Sequence, residues 1–435
     1  ACPSRDKLRA ENAYGINIDS LTRWKQLYTD DPETHEGMYL KYAMAAALAN
    51  PGGSGQYRGD ETYDWLSRYK HFKDAHKNGE LVPSFEHLTV NDYGRVLCAI
   101  GANSDLAWGR KMIQTWRPDL LEKEQIHKIV SEVWRRFSPI PFTNGFVTVM
   151  EGGGKCGPRG MFGGFICQAF GIPSMVVGQP AHCCFGARCD FPETDPQVGS
   201  AWKVYQGKGW HVTDCGDAMY GGEFTAEKTL RYRTAEFSKV EHLRWLASAM
   251  ASKERADALR DLALKIRKPV NTGDPMGVPA TECDVVFAAN APKPIVKRER
   301  PVEEPFKVAP GVIHVEAENF TNQLNAQVFD CYTGGKQVNF FKSIDSSWLD
   351  YSIDVPEAGT YSIEVMLAAA NRDLVLDVSR GEEKLGQVKI PGTIGLWRKM
   401  DPVDIKLNKG VQTLRIAAPF QRGIAIRWFE LTPKK

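Results

Sequence analysis

No stretch of this 435-residue chain comes near the ~18 consecutive apolar residues of a membrane-spanning helix, so no span is expected. A surplus of one charge is missing too. The 55 Lys and Arg stand against 53 Asp and Glu, a formal net charge of +2, which argues against nucleic acid as the main partner. Among ten cysteines there is no C-x-x-C pair, and no His/Cys set has the spacing of a structural zinc site. No pair of carboxylates forms a constellation suited to glycoside hydrolysis. A signal peptide is also lacking. The opening "ACPSRDK" nevertheless has the form of a mature chain cleaved behind a small residue, so a secreted, extracellular or periplasmic protein is expected.

What is there reads as ordinary globular protein, 43% hydrophobic and 25% charged. The length predicts two or more domains. The cysteines are Cys2, Cys98, Cys156, Cys167, Cys183, Cys184, Cys189, Cys215, Cys283 and Cys331, scattered along the chain. In an oxidising compartment they predict disulfides whose pairing the sequence leaves open. The sequon Asn319-Phe320-Thr321 is compatible with secretion.

Residues 289–310, "ANAPKPIVKRERPVEEPFKVAP", combine repeated Pro with charge and read as an extended linker between domains at 1–288 and 311–435. Before it, the first ~140 residues read as mainly helical. "YLKYAMAAALAN" is rich in helix formers and stops at Pro51-Gly52-Gly53. "LLEKEQIHKIVSEVWRRF" sets Ile126, Ile129, Val130 and Val133 on one stripe of a helix. "KVEHLRWLASAMASKERADALRDLALKIRK" reads as one long helical stretch. Between these parts, "SMVVGQ", "HCCFGARC", "AWKVYQ" and "WHVTDC" predict strands, the last two joined as a hairpin by "QGKGW". After the linker, "VIHVEAENF", "WLDYSIDV", "TYSIEVMLAA", "DLVLDVS", "QVKI", "VDIKL", "QTLRIAA" and "IAIRWFELT" alternate apolar and polar residues. An all-β sandwich or jelly roll follows, giving an α+β chain with a helical N-terminal part.

The stretch "GGGKCGPRGMFGGFICQAFGIPSMVVGQPAHCC" carries candidate chemistry. Gly152 to Gly154 allow close backbone approach ahead of a helix that opens at Cys156 and ends at Gly171-Ile172-Pro173. A helix N-terminus offers free N–H groups and partial positive charge, a setting that favours thiolates and can hold an oxyanion. Gly160, Gly163 and Gly164 inside the helix suggest close packing on another element. A nucleophilic thiol needs a base, and His182 is next in the chain, with Asp214 further on to hold its tautomer. The alternatives are plain. His182 could be a core histidine, His211 could equally be the partner, Asp214 could cap a turn, and Gln179 could be an oxyanion donor or a structural residue.

"AFGIPSMVV", "QPAHCC" and "GWHVTD" around Cys156 make this region similar to the transglutaminase-like superfamily of papain-type cysteine enzymes, over about residues 140–220. That resemblance implies a Cys156-His182-Asp214 triad, no catalytic cofactor, and a thioester acyl-enzyme formed from a protein or peptide amide. One departure stands out. Ser200 precedes the Trp-containing hairpin where the family places its His, so either His182 is a variant base or the chemistry is lost. In the second case the chain is a non-catalytic binding or structural protein with a glycan-binding module.

"VEAENF", "SSWLDYSIDVPEAGTYSIEVMLAA" and "IAIRWFEL" resemble the calcium-associated β-jelly-roll carbohydrate-binding modules. The resemblance implies a glycan partner and a structural Ca²⁺ held by Glu316 and Glu318, whose alternate carboxylates suit a hard cation. Such modules use aromatic platforms, for which Tyr332 and Trp348 are available, although Trp348 reads equally well as core. Arg427 stands before Trp428 where the family carries an Asn, and Met400 where a stacking Trp aligns, so the usual cleft is dead, moved to another face, or kept only as a packing domain.

Overall fold

A computed structural model describes residues 18–49, 64–122, 125–135, 145–179, 182–188, 202–204, 211–214, 217–220, 230, 234–267, 308–340, 346–419 and 423–434. The chain divides into two compact units, Ala1–Asn103 with Gly163–Val296 and Ser104–Phe162 with Lys297–Lys435. Residues 289–307 of the expected linker lie outside the described residues.

In the first unit, helices α1 (Ile18–Asp30), α2 (Gly37–Leu48), α3 (Trp65–Lys77) and α4 (Val90–Leu97) enclose an aromatic core. The Tyr42 ring stacks on Tyr69 at 5.0 Å and meets Tyr93 edge-on at 5.4 Å, while its hydroxyl donates to the Tyr69 carbonyl. Burying these rings drives the packing, and each hydroxyl that goes inside needs an acceptor. Capping is explicit at α3, where Asp64 and Ser67 form a reciprocal box.

The helix expected after Cys156 forms, spanning Cys156–Ala169, and the chain passes from one unit to the other within it. We number it α7, after α5 (Asn103–Trp116) and α6 (Gly145–Gly152). It ends as the sequence implies. Gly171 has φ 80°, and the N–H groups of Gly171 and Ile172 bond back to the Gln168 and Cys167 carbonyls. Beyond it, β1 (Ser174–Gln179), β2 (His182–Arg188), β3 (Trp202–Val204), β4 (His211–Asp214) and β5 (Asp217–Tyr220) form a sheet in the order β3-β2-β1-β4-β5. The hairpin expected between "AWKVYQ" and "WHVTDC" is therefore not made. β3 pairs with β2, whereas β4 joins β1 and pairs with β5, Asp214 in register with Asp217. Two buried groups tie helix to sheet, with Arg188 at the end of β2 reaching Asp92 of α4 at 3.2 Å. Helices α8 (Thr234–Ala249) and α9 (Lys253–Arg267) follow as a packed pair where one continuous helix was expected.

In the second unit the C-terminal residues form the expected sandwich. One sheet runs β13 (Glu383–Ile390), β12 (Leu374–Arg380), β16 (Gly410–Ala418), β10 (Ser347–Val355), β7 (Asn322–Leu324). The other runs β14 (Arg398–Lys399), β11 (Gly359–Ala369), β17 (Ile424–Pro433), β9 (Lys336–Phe340), β8 (Ala326–Asp330), with β15 (Val403–Leu407) on β11 and β6 (Ile313–Glu316) on β17. Alternation sets the faces. Leu349, Tyr351, Ile353 and Val355 of β10 point into the core against Ile363, Val365 and Leu367 of β11. The described residues 104–122, 125–135 and 145–162 belong to this unit as well.

Candidate functional site

The period-two pattern of β10 decides the place of Trp348. Its odd-numbered neighbours fill the core, so Trp348, Asp350, Ser352 and Asp354 stand on the outer face of their sheet. Trp348 is half-buried there, in register with Ala417 of β16 and Leu324 of β7, and Leu324 is exposed. Asp350 is in register with Arg415. Two hydrogen bonds of 2.7 and 2.8 Å join the Asp350 carboxylate to the Arg415 guanidinium, and that pairing holds Arg415 further above its usual range. The same guanidinium lies 3.8 Å from the Trp348 ring centroid, a cation–π stack. An indole and a forked cation thus share one patch of the sheet's outer face, with the buried Asp350 carboxylate beneath them anchoring the guanidinium. Arg415 and Asp350 were missed in the sequence. The signal was available, since both alternate with core residues on strands whose pairing fixes them beside the Trp.

The other C-terminal candidates lie elsewhere. Tyr332 sits in the turn between β8 and β9, and Arg427 at the bulge of β17 opposite Met366 and Leu367, its carbonyl accepting from the Ala317 N–H. Glu316 ends β6 on the outer face of the second sheet, where its carboxylate meets His314 Nε2 at 3.1 Å; the other ring nitrogen of His314 meets Glu430 at 3.2 Å. Glu318 is half-buried in the turn that follows. Among the described residues no group of three or more His, Cys, Asp or Glu side chains is placed to hold a metal ion. A calcium held by Glu316 and Glu318 would have to draw its remaining oxygens from backbone carbonyls or water.

Cys156 is the first residue of α7 and carries a half-buried free thiol. The glycines before it have a packing reason. Gly153, at φ 77°, lies so close to Trp134 that a Cβ would sit 2.4 Å from its carbonyl oxygen, and the Gly154 N–H donates to that same carbonyl. The disulfides expected from the cysteine count are not found among the described residues, since no two described cysteines are joined. Cys183 and Cys184, for example, are strand neighbours that point to opposite faces.

His182 opens β2 in register with Gln179, the last residue of β1. Asp214 ends β4, which meets β1 through the His211–Gly178 pair. β1 therefore lies between His182 and Asp214, with strands about 4.8 Å apart. Both belong to the first compact unit, while Cys156 belongs to the second. Ser200 lies outside the described residues, as do the side chains of Gln179, His182 and Asp214.

With the sandwich in view, comparison places its class. Residues 316–433 match the family model described as carbohydrate binding module (family 6), so the C-terminal β-sandwich is a module of that kind. Similar solved structures include the C-terminal module of LamC, a marine laminarinase from Zobellia galactanivorans, at 25% identity and TM-score 0.26, covering 28% of this chain and 98% of that one. A module of lichenase 5A from Cellvibrio mixtus, solved with cellotriose, is 23% identical with TM-score 0.26, over 28% of this chain and 98% of that one. No curated protein matches the chain. No helix among the described residues is long and apolar enough to cross a membrane.

Proposed function

We propose that this protein is a glycan-binding protein acting outside the cell, and that the glycan lies on the sheet face carrying Trp348, Arg415 and Asp350. The observation that carries the reading is the outward Trp348 with its Arg415–Asp350 pair, within a segment that matches a carbohydrate-binding family. An indole offers a flat apolar surface to the C–H groups of a pyranose, while the guanidinium that Asp350 fixes alongside offers N–H donors to its hydroxyls. Laminarin and cellohexaose are suitable probes, titrated calorimetrically into the full chain. Trp348→Ala is expected to weaken binding about tenfold or more without moving the thermal midpoint, because the ring is outside the core. Undiminished binding by the variant would remove this face from consideration.

A second reading concerns Cys156, because a free thiol heads a helix behind a glycine run. In it, the Cys156 thiol attacks an amide carbonyl and forms a thioester, His182 passes the thiol proton to the departing amine as the C–N bond breaks, and Asp214 orients the ring. Water or another amine then takes the acyl group, so that the glycan-binding module delivers an acyl-transfer enzyme to its surface. Iodoacetamide at neutral pH should then alkylate Cys156 ahead of the exposed Cys98. Labelling of Cys98 first would leave the binding function alone.

A further inference from the structure

We propose that the β9 end of the second sheet and the loop Pro391–Trp397 beside it are the seat of this chain's own helices α5 and α6, so that no glycan reaches that end and the Trp348-bearing sheet takes it. The exclusion rests on the glycan-binding reading above; the seat stands on its own contacts.

Gln337 and Asn339 of β9 alternate with the core residues Val338 and Phe340 and so face outward, yet they are 0% and 2% exposed. Their side-chain N–H groups donate to the Trp116 carbonyl at 3.3 and 2.8 Å. That carbonyl ends α5 and has no partner within the helix, so the two amides supply what the helix terminus lacks. The Trp116 ring is itself buried against the sandwich, where a Cβ on Gly423 would come within 2.7 Å of it. Ala368 and Ala425, cross-strand partners on the outward side of β11 and β17, are buried completely.

The loop Pro391–Trp397 is held in the same way. Trp108 Nε1 donates to the Ile394 carbonyl at 3.1 Å, and the Glu151 carboxylate accepts from the Ile394 N–H. A Cβ at Gly395 would strike Met112 and Met150. Hydrogen bonds made to backbone and side chain at once, with aromatic and Met packing between them, make this a fitted surface. The Trp348 sheet differs, because Leu324 and Val411 on its outer side remain exposed. A ligand for the covered end would have to lift both helices, whereas the other sheet is open.

The seat can be tested in the full chain by a double-mutant cycle. Gly392 does not need a positive φ, and a Cβ there would lie 1.9 Å from Glu151 Oε1. Gly392→Ala is expected to lower the thermal midpoint by about a degree or two in the native background, where the Glu151 carboxylate must leave the Ile394 N–H, and to do little in Glu151→Ala. Equal effects in both backgrounds would overturn the seat. Laminarin then tests the exclusion. Gln337→Ala with Asn339→Ala should leave its affinity unchanged, while Trp348→Ala loses it. The reverse pattern would place the glycan at the covered end and overturn the proposal. If the native chain binds neither laminarin nor cellohexaose, the exclusion is overturned along with the glycan-binding reading, and the cycle still decides the seat.

Discussion

Ile394 shows how a single residue can be held in an unfavourable backbone. The Leu396 N–H bonds to the Thr393 carbonyl at 3.0 Å, with φ 50° at Ile394 and 70° at Gly395 between them. Two successive positive φ values are those of a type I′ turn, which prefers Asn-Gly. A β-branched residue in the first position is strained, and the surrounding hydrogen bonds hold it there. Glu151 is one of those partners. Burial raises its carboxyl above the ordinary 4.5, while Arg372 and the Ile394 N–H pull it back. The sign follows directly. Between the unfolded value near 4.5 and the higher folded one, the folded state binds more protons, so its stability falls as pH rises through that window. Glu151→Gln keeps an acceptor for Ile394 and removes the charge. It is expected to raise the thermal midpoint by about 1–3 °C at pH 7 and by nothing at pH 4, read by calorimetry. A gain at pH 4 as large as that at pH 7 would mean that the benefit is not electrostatic.

At the scale of elements, the sequence was most legible where alternation was strong. "WLDYSIDV" falls within β10 and "TYSIEVMLAA" within β11, because burial on one face writes a period of two into the residues. β7 and β8 passed unnoticed, being short and largely exposed, with no apolar period to mark them. The stripe Ile126, Ile129, Val130 is buried as expected, but on a 3₁₀ turn spanning Ile126–Ser131. Spacing of three serves either helix type. The break between α8 and α9 carries no Gly or Pro; Ser252 marks it by accepting from the Arg255 N–H. Inside α7, Gly163 has the close neighbour its cost implies, since a Cβ would sit 2.3 Å from the Phe185 ring of β2, whereas Gly164 faces only ordinary contact with Ser174. Of the candidate triad, the sequence located Cys156 at a helix start, yet pairing order is a long-range property that local signals cannot fix. That is why β3 and β4 read as one hairpin and lie on opposite sides of the β1–β2 pair.

The whole molecule raises the question of how far the sandwich stands alone. Read along the chain, it ends a sequence whose helical residues all precede it, and nothing in Met112, Trp116 or Met150 distinguishes them from core residues of a helical domain. Their partners are Gly395, Gly423, Gln337 and Asn339, more than two hundred positions away, visible only once the sheets are closed. A fragment beginning at residue 308 would keep every strand of the sandwich and lose that cover. Removing a buried Trp from its site costs about 3–5 kcal/mol in typical cores. At about 1.4 kcal/mol per factor of ten, that is a change of roughly a hundredfold or more in the opening equilibrium. Amides of β9, β17 and β11 should therefore exchange with solvent at least about a hundredfold faster in the fragment than in the full chain, while β12 and β13, on the far sheet, change less. Equal protection in both would mean that the sandwich owes nothing to the helices packed on it. The expected asymmetry would make those helices part of the module's fold, leaving the Trp348 sheet as the face free to meet a glycan.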